Sequence, residues 1–396
     1  MTTSKKLLEI LLIAFRLGIT SFGGPIAHIG YFREEYVNRR RWLDDETYAD
    51  IVSLCQILPG PTSSQVGIVV GISRAGIPGG LAAWIGFTMP SAIALMLFAL
   101  GVTNTPQLYE SGWIYGLKIM AVAIVALAIW GMAQTICTDK SRTTLALISA
   151  ILMLGISNFA FQIAVMAAGA LIGLFMFKHN TSVNLREYNY GISNRLAIFS
   201  LATFMLLLLL LPAFSHATTN PLVDVFDSFY RTGSLVFGGG HVVLPLLQAE
   251  VVNPGWVSQD IFLGGYGAAQ AVPGPLFTFA AYLGVTMEQF KYPIWGGLLC
   301  LFAIYAPSFL LITGILPYWS KVRSITRLRQ CLAGLNSAVL GFLIAALYDP
   351  IWTSAISSSV DLAFAIGIFC LISIRRWPIW IVVLVAAIMG TILSLI

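Results

Sequence analysis

The chain has 396 residues, of which 58% are hydrophobic and 10% charged. Soluble globular domains carry about 25% charged residues, so this composition excludes an ordinary soluble domain and describes a polytopic membrane protein. The formal net charge of +5 comes from basic residues in short loops, where membrane topology accounts for them, and it gives no argument for a nucleic-acid partner.

Lys5 and Lys6 precede an apolar run, as in a secretory signal. Glu9 interrupts that run and no convincing small-x-small site follows, so the segment is expected to be retained. With the Arg33, Arg39, Arg40 and Arg41 loop also basic, both ends of residues 7–30 belong on the cytoplasmic side. That segment is expected to enter and return, turning at Gly23-Gly24-Pro25. Residues 47–72 are expected to do the same, breaking at Pro59-Gly60-Pro61. Four full crossings follow, at 77–100, 113–137, 143–157 and 159–177, the last two each short or strongly broken. After a basic linker comes an extra crossing at 196–212. Two further re-entrant segments (222–246 and 261–287) and four crossings (292–317, 331–348, 358–374 and 377–396) complete the chain. This path puts every basic cluster on one side, with the N-terminus cytoplasmic and the C-terminus periplasmic. The five cysteines are scattered through apolar segments without CxxC spacing and read as buried hydrophobes rather than disulfides or metal ligands.

The two sets of segments are copies of one pattern. Arg16-x-Gly18-x-x-x-Phe22-Gly23-Gly24 matches Arg231-x-Gly233-x-x-x-Phe237-Gly238-Gly239 without a gap. Trp42 leads to Gln56-x-x-Pro59-Gly60-Pro61 as Trp256 leads to Gln270-x-x-Pro273-Gly274-Pro275. Gly79-Gly80 with Pro90 matches Gly296-Gly297 with Pro307, and Gly116-Leu117-Lys118 matches Gly334-Leu335-Asn336. The loop between Leu247 and Asp260 has no Lys or Arg, in contrast to its counterpart, so the halves are expected to be inverted. The expected fold is therefore all-α and polytopic. It comprises a first repeat over 1–178, a linker and connecting span over 179–221, and a second, inverted repeat over 222–396.

Broken backbone at membrane depth is tolerated where it is buried in protein or lines a cavity. A half-helix starting at Pro61 aims free N–H groups at the membrane interior, a site that suits an anion. Thr62, Ser63 and Ser64 add hydroxyl donors there; the second copy, around Gly274, offers fewer. Arg16 lies about 15 Å along an entering helix, where an arginine costs roughly 2.5–3.5 kcal/mol and normally faces a cavity or a partner. Arg231 mirrors it, and Lys118 is a third cation within an apolar segment. Such an array suits a small, doubly charged, tetrahedral anion. Bland readings stand beside each. Asp227 is one turn from Arg231 and offers a structural salt bridge, and Lys118 is able to snorkel to the interface. His28 and His241 fit polar turn residues as well as a proton or substrate role. Gln56 and Gln270 fit satisfied backbone at the breaks as well as a relay. The GxxxG runs at Gly67–Gly71, Gly112–Gly116 and Gly169–Gly173 are expected to serve helix packing.

The stretches FGGPIAHIGYFREEYVNRRRWL, ILPGPTSSQVG, VFGGGHVVLPLLQAEVV and GYGAAQAVPGPLFTFAAYLG together resemble the chromate transporter family in its long form, with both homologous halves on one chain. The resemblance implies an inner-membrane carrier that exports chromate under the proton motive force and confers chromate resistance, with sulfate as competitor. It places the family's FGG and PGP glycines on Gly23, Gly24, Gly60, Gly239 and Gly274, its arginine on Arg16 and its intramembrane lysine on Lys118. No cofactor or metal is expected, and a homodimer fits an inverted-repeat carrier. A sulfate or other oxyanion transporter, or a channel, would use the same residues. An enzyme does not fit, since the chain lacks HExxH, GxSxG and Walker-type motifs.

Overall fold

The computed structural model describes residues 3–105, 112–156, 159–177, 190–218, 220–237 and 240–394. Every regular element among these residues is helical. In chain order they are α1 (Thr3–Thr20), α2 (Gly24–Arg33), α3 (Asp45–Ile57), α4 (Thr62–Asn104), α5 (Gly112–Ile136), α6 (Lys140–Gly155), α7 (Phe159–Met176), α8 (Asn194–Ala217) and α9 (Pro221–Leu235). The second half continues with α10 (Val243–Val251), α11 (Gln259–Ala271), α12 (Phe279–Thr286), α13 (Pro293–Ile315), the short α14 (Trp319–Val322), α15 (Thr326–Ala346), the short α16 (Thr353–Ala355), α17 (Ser359–Ser373) and α18 (Ile379–Leu393). Five helices, beginning at Thr62, Gly112, Asn194, Pro293 and Thr326, are long and apolar enough to cross a membrane, and shorter apolar helices accompany them. The protein is an all-α polytopic membrane protein.

Helix starts divide by surroundings. In polar turns a side chain caps the first turn: Asp44 accepts from the Thr47 amide, Asp139 from Arg142, Ser193 from Leu196 and Ser258 from Ile261. Each cap satisfies one amide that the helix cannot. At the Gly/Pro breaks, α2 and α4 start from Gly23 and Pro61 with no side-chain cap.

Helix α4 is a hairpin rather than a rod. Ala75 and Gly76 leave helical geometry, with Gly76 at φ 66°. A Cβ on Gly71 would meet the Gly79 carbonyl oxygen at 2.3 Å, and one on Gly80 would meet Ile68. In a straight helix residues 68 and 80 would be about 18 Å apart, so the chain reverses here, on glycines that let the backbones touch. The second half repeats the device: Gly284 and Gly296 face each other across the turn between α12 and α13.

The halves interlock. Helix α5 packs on α11, α17 and α18, while α15 packs on α6 and α7. Glycines make both approaches possible: Gly112 and Gly116 lie on the Gly390 and Ala386 carbonyls, and Gly334 lies on the Gly169 carbonyl. Small residues at such contacts let helix backbones close up where lipid supplies no hydrophobic drive. Both hydrophobic cores draw on the two halves, one around Phe32, Ile51 and Ile312, the other around Phe229, Tyr282 and Val382.

Positions matched in the sequence also make matched contacts. Gly18 abuts the Phe87 carbonyl as Gly233 abuts that of Ile304. The Gly60 amide donates to Val236 O at 2.8 Å, and the Gly274 amide to Ser21 O at 2.9 Å. Each PGP glycine therefore bonds to the chain just before the opposite half's FGG.

Candidate functional site

The first FGG turn exists because glycine tolerates positive φ: Gly23 sits at 98° and Gly24 at 77°, values that strain any residue with a Cβ. The turn delivers the N-terminus of α2 with Pro25 in its first turn and no side-chain cap. First-turn amides have no partner within their own helix, and the macrodipole makes that end favourable to negative charge.

That N-terminus borders a cavity of ≈ 310 Å³, at the lower end of the about 300–1,000 Å³ typical of small-molecule sites. The first half contributes Gly23, Gly24 and Pro25 to its lining, and the second half Gly240, His241 and Gln270. The C-terminal part of α5, with Gly131, Met132 and Thr135, closes a third side. Gln270 Nε2 is buried beside the Tyr266 hydroxyl, one turn back on α11. His241 Nδ1 lies 2.8 Å from the hydroxyl of the buried Tyr266, which orients the imidazole. Thr135 returns its hydroxyl to its own helix, at 3.0 Å from Met132 O.

The first PGP segment is elsewhere and is tightly engaged. Gly60 and Pro61 are buried and Thr62 is half-buried. Ser63 Oγ lies 3.2 Å from His28 Nδ1, and His28 Nε2 lies 3.2 Å from Ser21 O, so His28 ties the FGG turn to the start of α4. Ser64 Oγ lies 3.4 Å from Tyr305 Oη. Gln65 Nε2 donates to Pro59 O at 2.6 Å and to Ser308 Oγ at 3.2 Å. The sequence points to this stretch as the richer anion site; the structure engages the side chains of Ser63, Ser64 and Gln65 with the protein. Gln56, the counterpart of Gln270, is exposed. Gly274 sits at φ 104° beside Ser91. Gly239 lies outside the described residues.

The three cations do not line the cavity; each forms an ion pair. Arg16 pairs with the buried Glu35, which also takes Arg39 at 3.5 Å and Arg40 at 3.0 Å, and Arg40 reaches Glu9 at 3.2 Å. Arg231 donates to Asp227 at 2.9 Å and to Glu250 at 3.0 Å. Lys118 bonds Asp260 at 2.8 Å, and this carboxylate is 60% exposed at the start of α11. On α5 itself Lys118 lies six residues, about 9 Å along the axis, before Ile124, the first residue of that helix to line the cavity. Sequence reasoning missed Glu35, Glu250 and Tyr266. The first two had a legible signal: each acid follows its arginine by 19 residues.

The Chromate transporter family matches the chain twice, over residues 8–174 and 223–391. A probable chromate transport protein of Synechococcus elongatus is 26% identical over 389 residues, covering 95% of this chain and 93% of that one. The chromate transport protein of Pseudomonas aeruginosa is 25% identical over 343 residues, 84% of this chain and 78% of that one. A chromate transport protein of Cupriavidus metallidurans is 25% identical, covering 96% and 92%. No solved structure matches. With both halves matched, the chain belongs to the chromate transporter family.

Proposed function

We propose that this protein is a secondary carrier that exports chromate across the cytoplasmic membrane and so confers chromate resistance, using an oxyanion site in the cavity between the two broken segments. Its relatives named as chromate transport proteins support the substrate. The observation that carries the site is a cavity built from both halves, lined by the uncapped start of α2 together with His241 and Gln270. An oxyanion there would accept from the first-turn amides of α2 and from Gln270, with His241 held ready by Tyr266.

The two halves are inverted repeats in this reading, spanning 1–178 and 222–396, with residues 179–221 connecting them. The basic turn at Asp139–Arg142 is then cytoplasmic, and the cavity, lined by the Thr135 end of α5, is loaded from inside. Moving a dianion outward is favoured by an inside-negative potential, at about 2.3 kcal/mol per charge per 100 mV. Sulfate has the same charge and shape and competes for the site. The PGP glycines and the arginines act as scaffold in this scheme: they hold the breaks in register and carry no direct substrate contact.

The test is counterflow of radiolabelled chromate into liposomes containing the purified protein and loaded with unlabelled chromate. Wild type should accumulate label, and external sulfate should suppress it. Gln270→Leu should weaken chromate binding by about tenfold or more, the loss of one hydrogen bond to a charged group. Gln56→Leu should leave binding unchanged. Counterflow in Gln270→Leu equal to wild type would remove the site from this cavity.

A further inference from the structure

The cavity proposed for chromate sits at the start of a helix. A second cavity, of ≈ 220 Å³, sits at the ends of two helices, and the two cavities share no lining residue. It lies between α6 and α7 of the first half and α10, α11 and α15 of the second, which contribute Met153, Gln162, Gln248, Gln259 and Phe342. Its polarity is the reverse of the first. Ala249 in the last turn of α10, with Val252 and Asn253 just beyond, and Ala345 and Ala346 at the end of α15 belong to its lining. The last carbonyls of a helix lack intrahelical donors, and the macrodipole makes that end favourable to positive charge. Asp349, which follows α15, adds an exposed carboxylate. No Lys, Arg or His lines this cavity among the described residues.

Two amides in the lining are unfinished. Gln162 is 7% exposed, and its Oε1 is buried with no hydrogen-bond partner. Gln248, 8% exposed, donates from Nε2 to Gln259 Oε1 at 3.2 Å, and Gln259 Nε2 is left buried without an acceptor. Buried polar groups are paired almost everywhere in folded proteins. An orphan acceptor and an orphan donor in one lining therefore fit a ligand that carries the opposite of each. Water supplies both but leaves the carboxylate and the helix ends without a counter-charge.

We propose that this cavity binds a small primary ammonium ion with a hydrogen-bond acceptor at its far end, an amino alcohol of the 2-aminoethanol class. The ammonium carries three N–H donors and one positive charge. It donates to Gln162 Oε1 and to the Asp349 carboxylate, whose single charge it neutralises. The oxygen at the other end accepts from Gln259 Nε2, and the methylenes lie on the apolar part of the lining, Met153 and Phe342. The volume falls below the about 300–1,000 Å³ of drug-sized sites and suits a ligand of a few heavy atoms. A free amino alcohol and the headgroup of an ethanolamine lipid present the same ammonium group, so either source fits this chemistry.

The test is calorimetric titration of ethanolamine into the purified full-length protein in detergent, beside tetramethylammonium, which has the charge and no N–H. Wild type should bind ethanolamine, and tetramethylammonium at least tenfold more weakly. Asp349→Asn and Gln162→Leu should each weaken ethanolamine binding about tenfold or more, the loss of one hydrogen bond to a charged group. Asp349 is exposed, and Gln162→Leu replaces an unpaired amide by an apolar group of similar size, so both variants should fold; unchanged melting midpoints check this. No binding by wild type at millimolar ethanolamine overturns the proposal, as does equal affinity for the two ions or wild-type affinity in both variants. Sulfate binding that is lost in Gln162→Leu and kept in Gln270→Leu would make this an anion site and overturn the ligand class. In nanodiscs, an ethanolamine lipid that displaces added ethanolamine assigns the site to a headgroup, and one that fails to displace it assigns the site to the free ion; both results support the site.

Discussion

Replacing Gly60 with alanine tests the cross-linked breaks most sharply. Gly60 sits at φ +116°, where an L residue stores about 1–3 kcal/mol of strain. The added Cβ would lie 2.4 Å from Ser308 Oγ and 2.8 Å from Gln65 Nε2, so both must move. Gln65 is fixed by its 2.6 Å bond to Pro59 O and has no exposed surface, so relief disrupts that bond. Overpacking of this kind adds about 1–3 kcal/mol. The sum is about 2–6 kcal/mol. For a chain of 396 residues, at roughly 2 cal/mol/K per residue, that corresponds to a melting midpoint lowered by about 2–7 °C. The assay is thermal unfolding of the detergent-solubilised protein followed by intrinsic tryptophan fluorescence. Gly101→Ala is the control: it lies in α4 with nothing within 4 Å of the new Cβ, and should be neutral or stabilising by up to about 1 kcal/mol. If Gly60→Ala melts with wild type, the PGP glycine is not held as described, and the register between the two breaks loses its basis.

Gly334→Ala should separate α15 from α7, because the new Cβ would lie 2.1 Å from the Gly169 carbonyl oxygen and 2.7 Å from Gly173 Cα. Both are backbone atoms, and about 1–3 kcal/mol of stability should be lost in the same melting assay. Lys118→Gln should cost less than about 1 kcal/mol, since its partner Asp260 is 60% exposed and such pairs are weak. Its chromate counterflow should match wild type, in contrast to a substrate ligand. Glu35→Ala should destabilise far more than Glu34→Ala, because Glu35 is buried among Arg16, Arg39 and Arg40 while Glu34 is exposed and meets Asn38. The measurement is the difference between their melting midpoints.

Much of the architecture was legible because membrane helices announce themselves by composition and Gly/Pro breaks by residue type. The helix positions over 77–100, 113–137, 196–212 and 292–317 follow from apolar length alone. The turn at Ala75–Gly76 falls where the expected segments 47–72 and 77–100 part. The partners of the intramembrane cations were harder to see. Periodicity reveals neighbours one turn apart, so Asp227 is found beside Arg231, but Glu250 lies on another helix and only comparison of the halves exposes it. Side-chain occupancy was the least legible feature. Ser63 and Ser64 read as spare donors because nothing in a linear sequence shows His28 and Tyr305 arriving to use them. Gln56 and Gln270 hold the same place in the repeat, yet one is exposed and the other lines a cavity. That difference arises from which helices pack nearby, α5 above all, and the repeat pattern is blind to it.

The central claim is that this chain moves chromate outward. Uptake of radiolabelled chromate into everted membrane vesicles, energised by respiration and compared with vesicles lacking the protein, tests it most directly. The account predicts protein-dependent accumulation inside the vesicles that excess sulfate reduces and that Gln270→Leu impairs at equal protein level. Accumulation only in right-side-out vesicles, or none in either orientation, would contradict it.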